Sequence, residues 1–347
     1  MDLVRELLEQ LEREIDGGVL EQAYRRQRDA LDFVPSAPLP VRHGSPVAYQ
    51  APPMDVVVED MDAMLARELI GCLSTALAKD DGLLTIRANY GVGILPSVFG
   101  LPSRVIDGGM PWVDSLGSVE EIRSLVAKGV PDVSGGLAQR IADTHAYYRE
   151  RLRAYPNCQK YIKIIHCDAQ GAFDVADLLW GSEIFYGMYD EPDLLHDLME
   201  LITQTYIAFM ERHLPDCDSV EPGYCYHWGT LFKGNCLMRD DSSVNLSREM
   251  YLEFVLPYHR RIAAHFGGAA MHFCGRADYW LPDLIREADI KSVNFGYMPE
   301  RFDNGFLYSL WEECSQTKTP IVNYHLDEAS ASTFDRSRFP AGLSVEK

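Results

Sequence analysis

No run of about eighteen apolar residues occurs anywhere in the chain, so no bilayer-spanning helix is expected. No Cys-x-x-Cys occurs either. The 8 cysteines are scattered without regular spacing, which fits a reducing cytoplasm better than a disulfide framework. The opening stretch MDLVRELLEQLEREIDGG has no basic segment followed by an apolar one. No secretory signal is therefore expected, and the expected location is the cytoplasm. Basic charge is scarce: 32 lysines and arginines face 52 aspartates and glutamates, a formal net charge of −20. Such a surface repels phosphate backbones and anionic lipid, which argues against nucleic-acid and membrane-surface roles. No internal repeat or low-complexity segment is visible. No Gly-x-Gly-x-x-Gly follows a strand, since GVGILP at 91–96 supplies only two of the three glycines.

What is present is a long chain of 347 residues, 47% apolar, enough to bury a large core without covalent help. Residues 2–16 form an amphipathic helix with Leu3, Leu7, Leu8, Leu11 and Ile15 on one face, ended by Gly17-Gly18. Residues 34–55 are proline-rich and read as an extended segment over a surface. From residue 60 the chain alternates. Helices are expected at 60–79, 137–153, 191–213, 277–288 and 304–316. Another runs from the capping Ser247 to Gly267-Gly268, kinked at Pro257. Strands are expected at 83–87, 161–168, 218–226, 236–241, 269–273, 290–295 and 320–324, with a short one near 104–106. About eight strands alternating with helices predict an α/β fold, a (β/α)8 barrel over 60–347 behind a helical and proline-rich extension at 1–59. A doubly wound open sheet is the alternative.

In such a barrel the reactive side chains stand where strands end at the C-terminal face. Those ends carry Asn89-Tyr90, His166-Cys167-Asp168, Tyr226-His227-Trp228, Asp240-Asp241, His272-Phe273-Cys274, Asn294 and Asn323-Tyr324-His325. Residues two apart on a strand point to one side, so His272 and Cys274 present an imidazole and a thiol to one cavity. Zinc takes nitrogen and sulfur ligands and needs at least a third protein donor. His325 at the last strand end is the leading candidate, with Asp240, Glu221 and His227 as alternatives. Asn89, Tyr90, Tyr226, His227 and Asn294 are the expected substrate-binding residues. Asp168, Asp240 and Asp241 are the expected catalytic ones.

AAMHFCG, after a helix ending FGG and preceded by DDSSVNLSREMYLEFVLPYHRRI, resembles the uroporphyrinogen decarboxylase superfamily. Within it, the chain is most similar to the branch of zinc-dependent, corrinoid-linked methyltransferases. QGAFDVADLLWG (170–181), YDEPDLLHDLMELIT (189–203), IRANYGVGILPSVFGLP (86–102) and PWVDSLGSVEEIRSL (111–125) extend the likeness over roughly 60–330. The Arg-Gln-Ala-Gly-Arg loop of authentic uroporphyrinogen decarboxylases has no match, the nearest run being Arg25-Arg26-Gln27-Arg28. The resemblance implies a (β/α)8 barrel and a zinc site on His272 and Cys274. His325 stands where the branch has a further cysteine. It also implies methyl transfer between a small substrate or thiol and a corrinoid. Asp-x-His-x-x-Gly is absent, so cobalamin would arrive on a partner corrinoid protein or be bound by barrel-mouth shape alone; a homodimer is a further expectation. Two other readings stay open. One is a metal-free lyase acting on a small carboxylate through Asp168, Asp240 or Asp241, with Arg87 and Arg276 binding the acid. The other is a barrel that binds without catalysis.

Overall fold

The computed structural model describes residues 2–35, 38–296 and 303–347. Among them lie twelve strands: β1 Val41–Arg42, β2 Thr85–Arg87, β3 Ser103–Val105, β4 Pro111–Val113, β5 Lys163–Ile165, β6 Tyr224–His227, β7 Thr230–Lys233, β8 Leu237–Arg239, β9 Ala269–Phe273, β10 Ile290–Phe295, β11 Ile321–His325 and β12 Leu343–Glu346. Six are joined in the order β1-β12-β11-β10-β9-β8, with parallel pairing throughout. β2 and β5 pair in parallel, and a Gln170–Arg239 bridge ties the end of β5 to β8. β1 and β2 are linked by the Asp81 N–H donating to the Val41 carbonyl (3.1 Å). Eight parallel strands thus follow one another around a ring in chain order, and the chain is a (β/α)8 barrel. Helices Met61–Ala78, Ala138–Leu152, Pro192–His213, Leu256–His265, Leu281–Glu287 and Asn304–Thr317 form the outer layer. Every residue of β9 is buried, as a parallel strand covered on both faces requires.

The ring differs in membership from the sequence expectation. Residues 218–226 do not supply a barrel strand. β6 pairs antiparallel with β7 as a hairpin, His227 opposite Thr230. The stretch near 104–106 likewise belongs to an antiparallel hairpin, β3 with β4. The two missing ring members are β1 and β12, which close the barrel through Val41 opposite Val345. The proline-rich segment therefore contributes a strand, and the N-terminal helices are built into the body: helix Leu3–Glu14 buries Val4, Leu7, Leu8 and Leu11 in the main core. Gly17-Gly18 open a second helix, Gly17–Leu31, capped by Asp16. Ser247 caps its helix as expected, and that helix breaks at Val255 just before Pro257. Asp190 ends the preceding helix Ile184–Asp190, and Pro192–His213 begins with proline in its first turn.

The β6–β7 hairpin plugs the barrel from its N-terminal end. Leu231 and Phe232 pack with Leu83, Leu237, Ala270 and Val322, which stand at or just before the starts of four ring strands. The two-residue tip, Trp228-Gly229, has both residues in the left-handed region, at φ +45° and +67°. That is the signature of a tight turn matched to the right-handed twist of a hairpin. Gly229 is required there: a Cβ would meet the Leu83 carbonyl at 2.7 Å. The Leu83 N–H donates to the Gly229 carbonyl (2.8 Å), and the Gly229 N–H to Thr85 Oγ1 (2.7 Å). The tip has wedged between β1 and β2, where strand pairing would otherwise run.

Candidate metal centre

Side-chain alternation sorts the strand ends into inward and outward groups. Leu237, Ala270 and Val322 face the hairpin. One step up on two of these strands and on β10 stand Arg239, His272 and Asn294, all buried. β8 and β9 run in register, Arg239 opposite His272. Two residues beyond that pair, Asp241 and Cys274 are therefore level.

These two close on His272. Its Nε2 is 3.3 Å from Cys274 Sγ and 3.6 Å from Asp241 Oδ1. The Cys274 backbone N–H donates to Asp241 Oδ1 (2.6 Å), fixing the loop. One donor atom each from Asp241, His272 and Cys274 lies within 4.8 Å of the others. A four-coordinate zinc with bonds of about 2.0–2.3 Å needs donor separations of roughly 3.3–3.8 Å. The tautomer also fits. Asn294 Nδ2 donates to the Val322 carbonyl (2.7 Å), so Asn294 Oδ1 is an acceptor and takes the His272 Nδ1–H at 2.6 Å. The Nε2 lone pair is then left facing Cys274 and Asp241. Burial lowers the His272 pKa below its ordinary value, favouring the neutral, ligating form.

Behind Asp241 a buried carboxylate, Asp174, accepts the backbone N–H groups of Asp241 (2.9 Å) and Ser242 (2.7 Å). Asp240 points the other way, into the helix layer. It is fully buried, with Oδ2 3.0 Å from His259 Nε2. Burial pushes its carboxyl up to about 8. Alternation therefore removes Asp240 from the cavity and leaves Asp241 in it. Asp168 is inward but clamped, 2.6 Å from both Arg87 Nη1 and Arg239 Nη2. Burial raises its pKa, yet the two guanidiniums outweigh that and hold it well below the usual carboxylate range. It stays ionised and is a poor proton carrier.

The other expected residues separate in the same way. Asn89 lines a cavity between helix Met61–Ala78, the end of β2 and Trp228. Tyr90, one residue on, faces outward, with its hydroxyl 2.8 Å from Thr144 Oγ1 and its ring under Arg140. Tyr226 sits low in the hairpin near Tyr24. His227 is fully buried beside Arg239 and Asp168. His325 lines the mouth cavity with His272 but stands outside the donor cluster. Its strand is two places from β9, about 9–10 Å across a sheet. That cavity, about 330 Å³, is bounded by Arg42, Trp228, His272, Asn294, Asn323, His325 and Glu346. The tip Trp228 forms its floor: its ring is 4.9 Å from the His272 ring and 4.6 Å from the Arg239 guanidinium carbon.

Residue-type reasoning missed Asp174, although an aspartate in the first turn of the largely apolar helix Ala172–Trp180 was a readable signal. It also missed Arg239, whose arginine ends an otherwise apolar strand. A second group, His145, His213 and Cys217, has its donor atoms within 4.8 Å of one another. There the His213 Nε2 lone pair already accepts the Cys167 backbone N–H (3.1 Å), so hydrogen bonding accounts for it.

No protein-family model matches the sequence, and no curated protein matches it. Among solved structures, the fold is similar to that of a methyltransferase from Methanosarcina mazei, with a TM-score of 0.64. The likeness covers 93% of this chain and 92% of that one, at 13% sequence identity.

Proposed function

We propose that the chain is a zinc-dependent methyltransferase that moves a methyl group between a small substrate or thiol and a corrinoid carried by a partner protein. The observation that carries this reading is the Asp241–His272–Cys274 donor set at the barrel mouth, its Nε2 lone pair held toward the other two donors by Asn294. The barrel shared with a solved methyltransferase supports it. A zinc ion held by Asp241, His272 and Cys274 would supply the Lewis acidity that makes a thiol available as its thiolate near neutral pH. The residues do the rest. Asn294 keeps the proton of His272 on Nδ1. Asp174 anchors the backbone that carries Asp241. Trp228 closes the cavity floor and keeps water from below off the reacting group. Asp241 replaces His325 as the proposed third ligand, leaving His325 to contact substrate in the mouth.

Elemental analysis of the purified protein tests this. One zinc per chain is expected, lost in the His272→Ala, Cys274→Ala double variant and in Asp241→Ala but retained in His325→Ala. Methyl transfer to reduced free cobalamin then follows zinc content. No zinc after reconstitution would sink the reading. The lyase alternative loses ground because Asp240 is sealed off and Asp168 is held ionised.

A further inference from the structure

A pocket of about 420 Å³ lies at the opposite end of the barrel from His272, where β2 and β5 begin. Helix Gly17–Leu31 supplies one wall through Leu20, Glu21, Tyr24 and Arg25. Leu83 and Leu84, both buried, supply another. Lys160 and Tyr161 close helix Pro156–Tyr161 beside it, Lys163 opens β5, and Tyr226 enters from the β6–β7 hairpin. Three tyrosines and three leucines thus surround one space, and none of them belongs to the metal centre.

The polar groups around it are unevenly matched. The Tyr24 hydroxyl donates to Glu221 Oε1 (2.9 Å) and the Tyr161 hydroxyl to Glu21 Oε1 (3.2 Å), so both phenols already have acceptors. The Tyr24 and Tyr226 ring centroids are 6.5 Å apart, tilted by 56°. In the run 25–28, Arg26 pairs with Asp81 (2.6 Å), Arg28 pairs with Glu221 (3.0 Å), and Gln27 accepts the Leu231 N–H (2.6 Å). Arg25 is exposed at the pocket and makes no ion pair among the described residues. Lys163 Nζ donates to the Lys160 carbonyl (2.6 Å), and Lys160 Nζ is 3.7 Å from Glu21 Oε1. Three cationic side chains therefore share one carboxylate here, in a chain whose net charge is −20.

We infer that this pocket binds a flat aromatic carboxylate, its ring among Tyr24, Tyr161 and Tyr226 and its acid group toward Arg25 and Lys163. The volume falls in the range of pockets that hold small molecules with mostly apolar walls and a few polar groups. An aromatic guest gains buried area and edge or offset contacts with neighbouring rings. Cations at an open rim each add little to affinity. What they set is the sign of the guest, on a surface that elsewhere repels anions. The inference stands apart from the function proposed above, since no residue of this pocket is a donor in the metal set.

Isothermal titration of the full chain in chelator, with 2-naphthoate, 2-naphthamide and decahydro-2-naphthoate, tests the inference. At low salt 2-naphthoate is expected to bind about fivefold more tightly than the amide. It should bind at least about threefold more tightly than the saturated acid. The Arg25→Gln, Lys163→Gln double variant should bring acid and amide to within about twofold of each other and leave amide binding as it was. Arg25→Gln alone, at an exposed position, gives a smaller change in the same direction if the double variant does not fold. No measurable binding of 2-naphthoate overturns the site. So does a saturated acid bound as tightly as the aromatic one, or an acid preference undiminished in the folded rim variants. Zinc content measured in the same rim variants reads the metal centre separately: it is expected to match the wild type, so either reading can fail without the other.

Discussion

At the scale of single residues, Asn294 does more for the centre than its lack of metal-binding chemistry suggests. Its amide is locked by the Val322 carbonyl, and through that lock it sets which nitrogen of His272 is free. Partners that orient a ligating histidine typically account for 10–100-fold in metal affinity. Asn294→Ala should therefore weaken zinc binding by about that factor in a chelator competition. Asn294→Asp, which keeps an acceptor, should weaken it less. Unchanged zinc affinity in Asn294→Ala would show that the tautomer is set elsewhere. The His272–Cys274 pair was legible in the sequence because strand periodicity is local. The third donor was not, because placing Asp241 beside Cys274 requires the β8–β9 register. The same ignorance of register brought His325 forward from two strands away and left Asp240 and Asp241 undivided.

At the scale of elements, the β6–β7 hairpin has the most consequences. Trp228 sits at φ +45°, a conformation that bulky residues rarely adopt and that persists where surrounding structure enforces it. Gly229→Ala adds a methyl group against the Leu83 carbonyl in a backbone region that disfavours it. It should cost about 1–3 kcal/mol in urea denaturation. A variant as stable as the wild type would mean the tip is not held against β2. The hairpin also marks where sequence reading failed. Residues 224–227 alternate like any strand, and nothing local tells a ring strand from a ribbon entering from below. The ring strands that were legible, β2, β5, β8, β9, β10 and β11, are apolar runs set off by helices or turns. β1 has only two residues and lies inside the proline-rich stretch, so pattern gave no hint of it.

At the scale of the whole molecule, the interior is rich in imidazoles kept neutral by burial. His145, His166 and His259 are each lowered by burial to about 4. A histidine with a depressed folded pKa adds stability above its unfolded value, about 6.5, and loses it as pH falls toward the folded value. The melting temperature should therefore fall steadily from pH 6.5 to 4 as the unfolded chain gains protons that the folded one refuses. Asp240 works in the opposite sense. Its raised pKa adds stability that is lost as pH rises from about 4 to about 8. Burial also raises Asp174 and Glu68 and lowers His213, His227 and His272, and six imidazoles against three carboxyls make acid the weaker side. A melting temperature that is flat between pH 7 and 5 would contradict this.

The hairpin tip lies inside a ring whose closing pair, β1 and β12, joins Val41 to Val345. A tryptophan-tipped ribbon seats most readily while that ring is still open. A chain made from its N-terminus holds β1 without its β12 partner until the last strand exists, and by then the ribbon has long been available to seat. The order of synthesis thus suits the order of assembly. Joining Met1 to Lys347 and cutting the chain between β5 and β8 would make the ribbon one of the first or last pieces to emerge, and would remove that advantage.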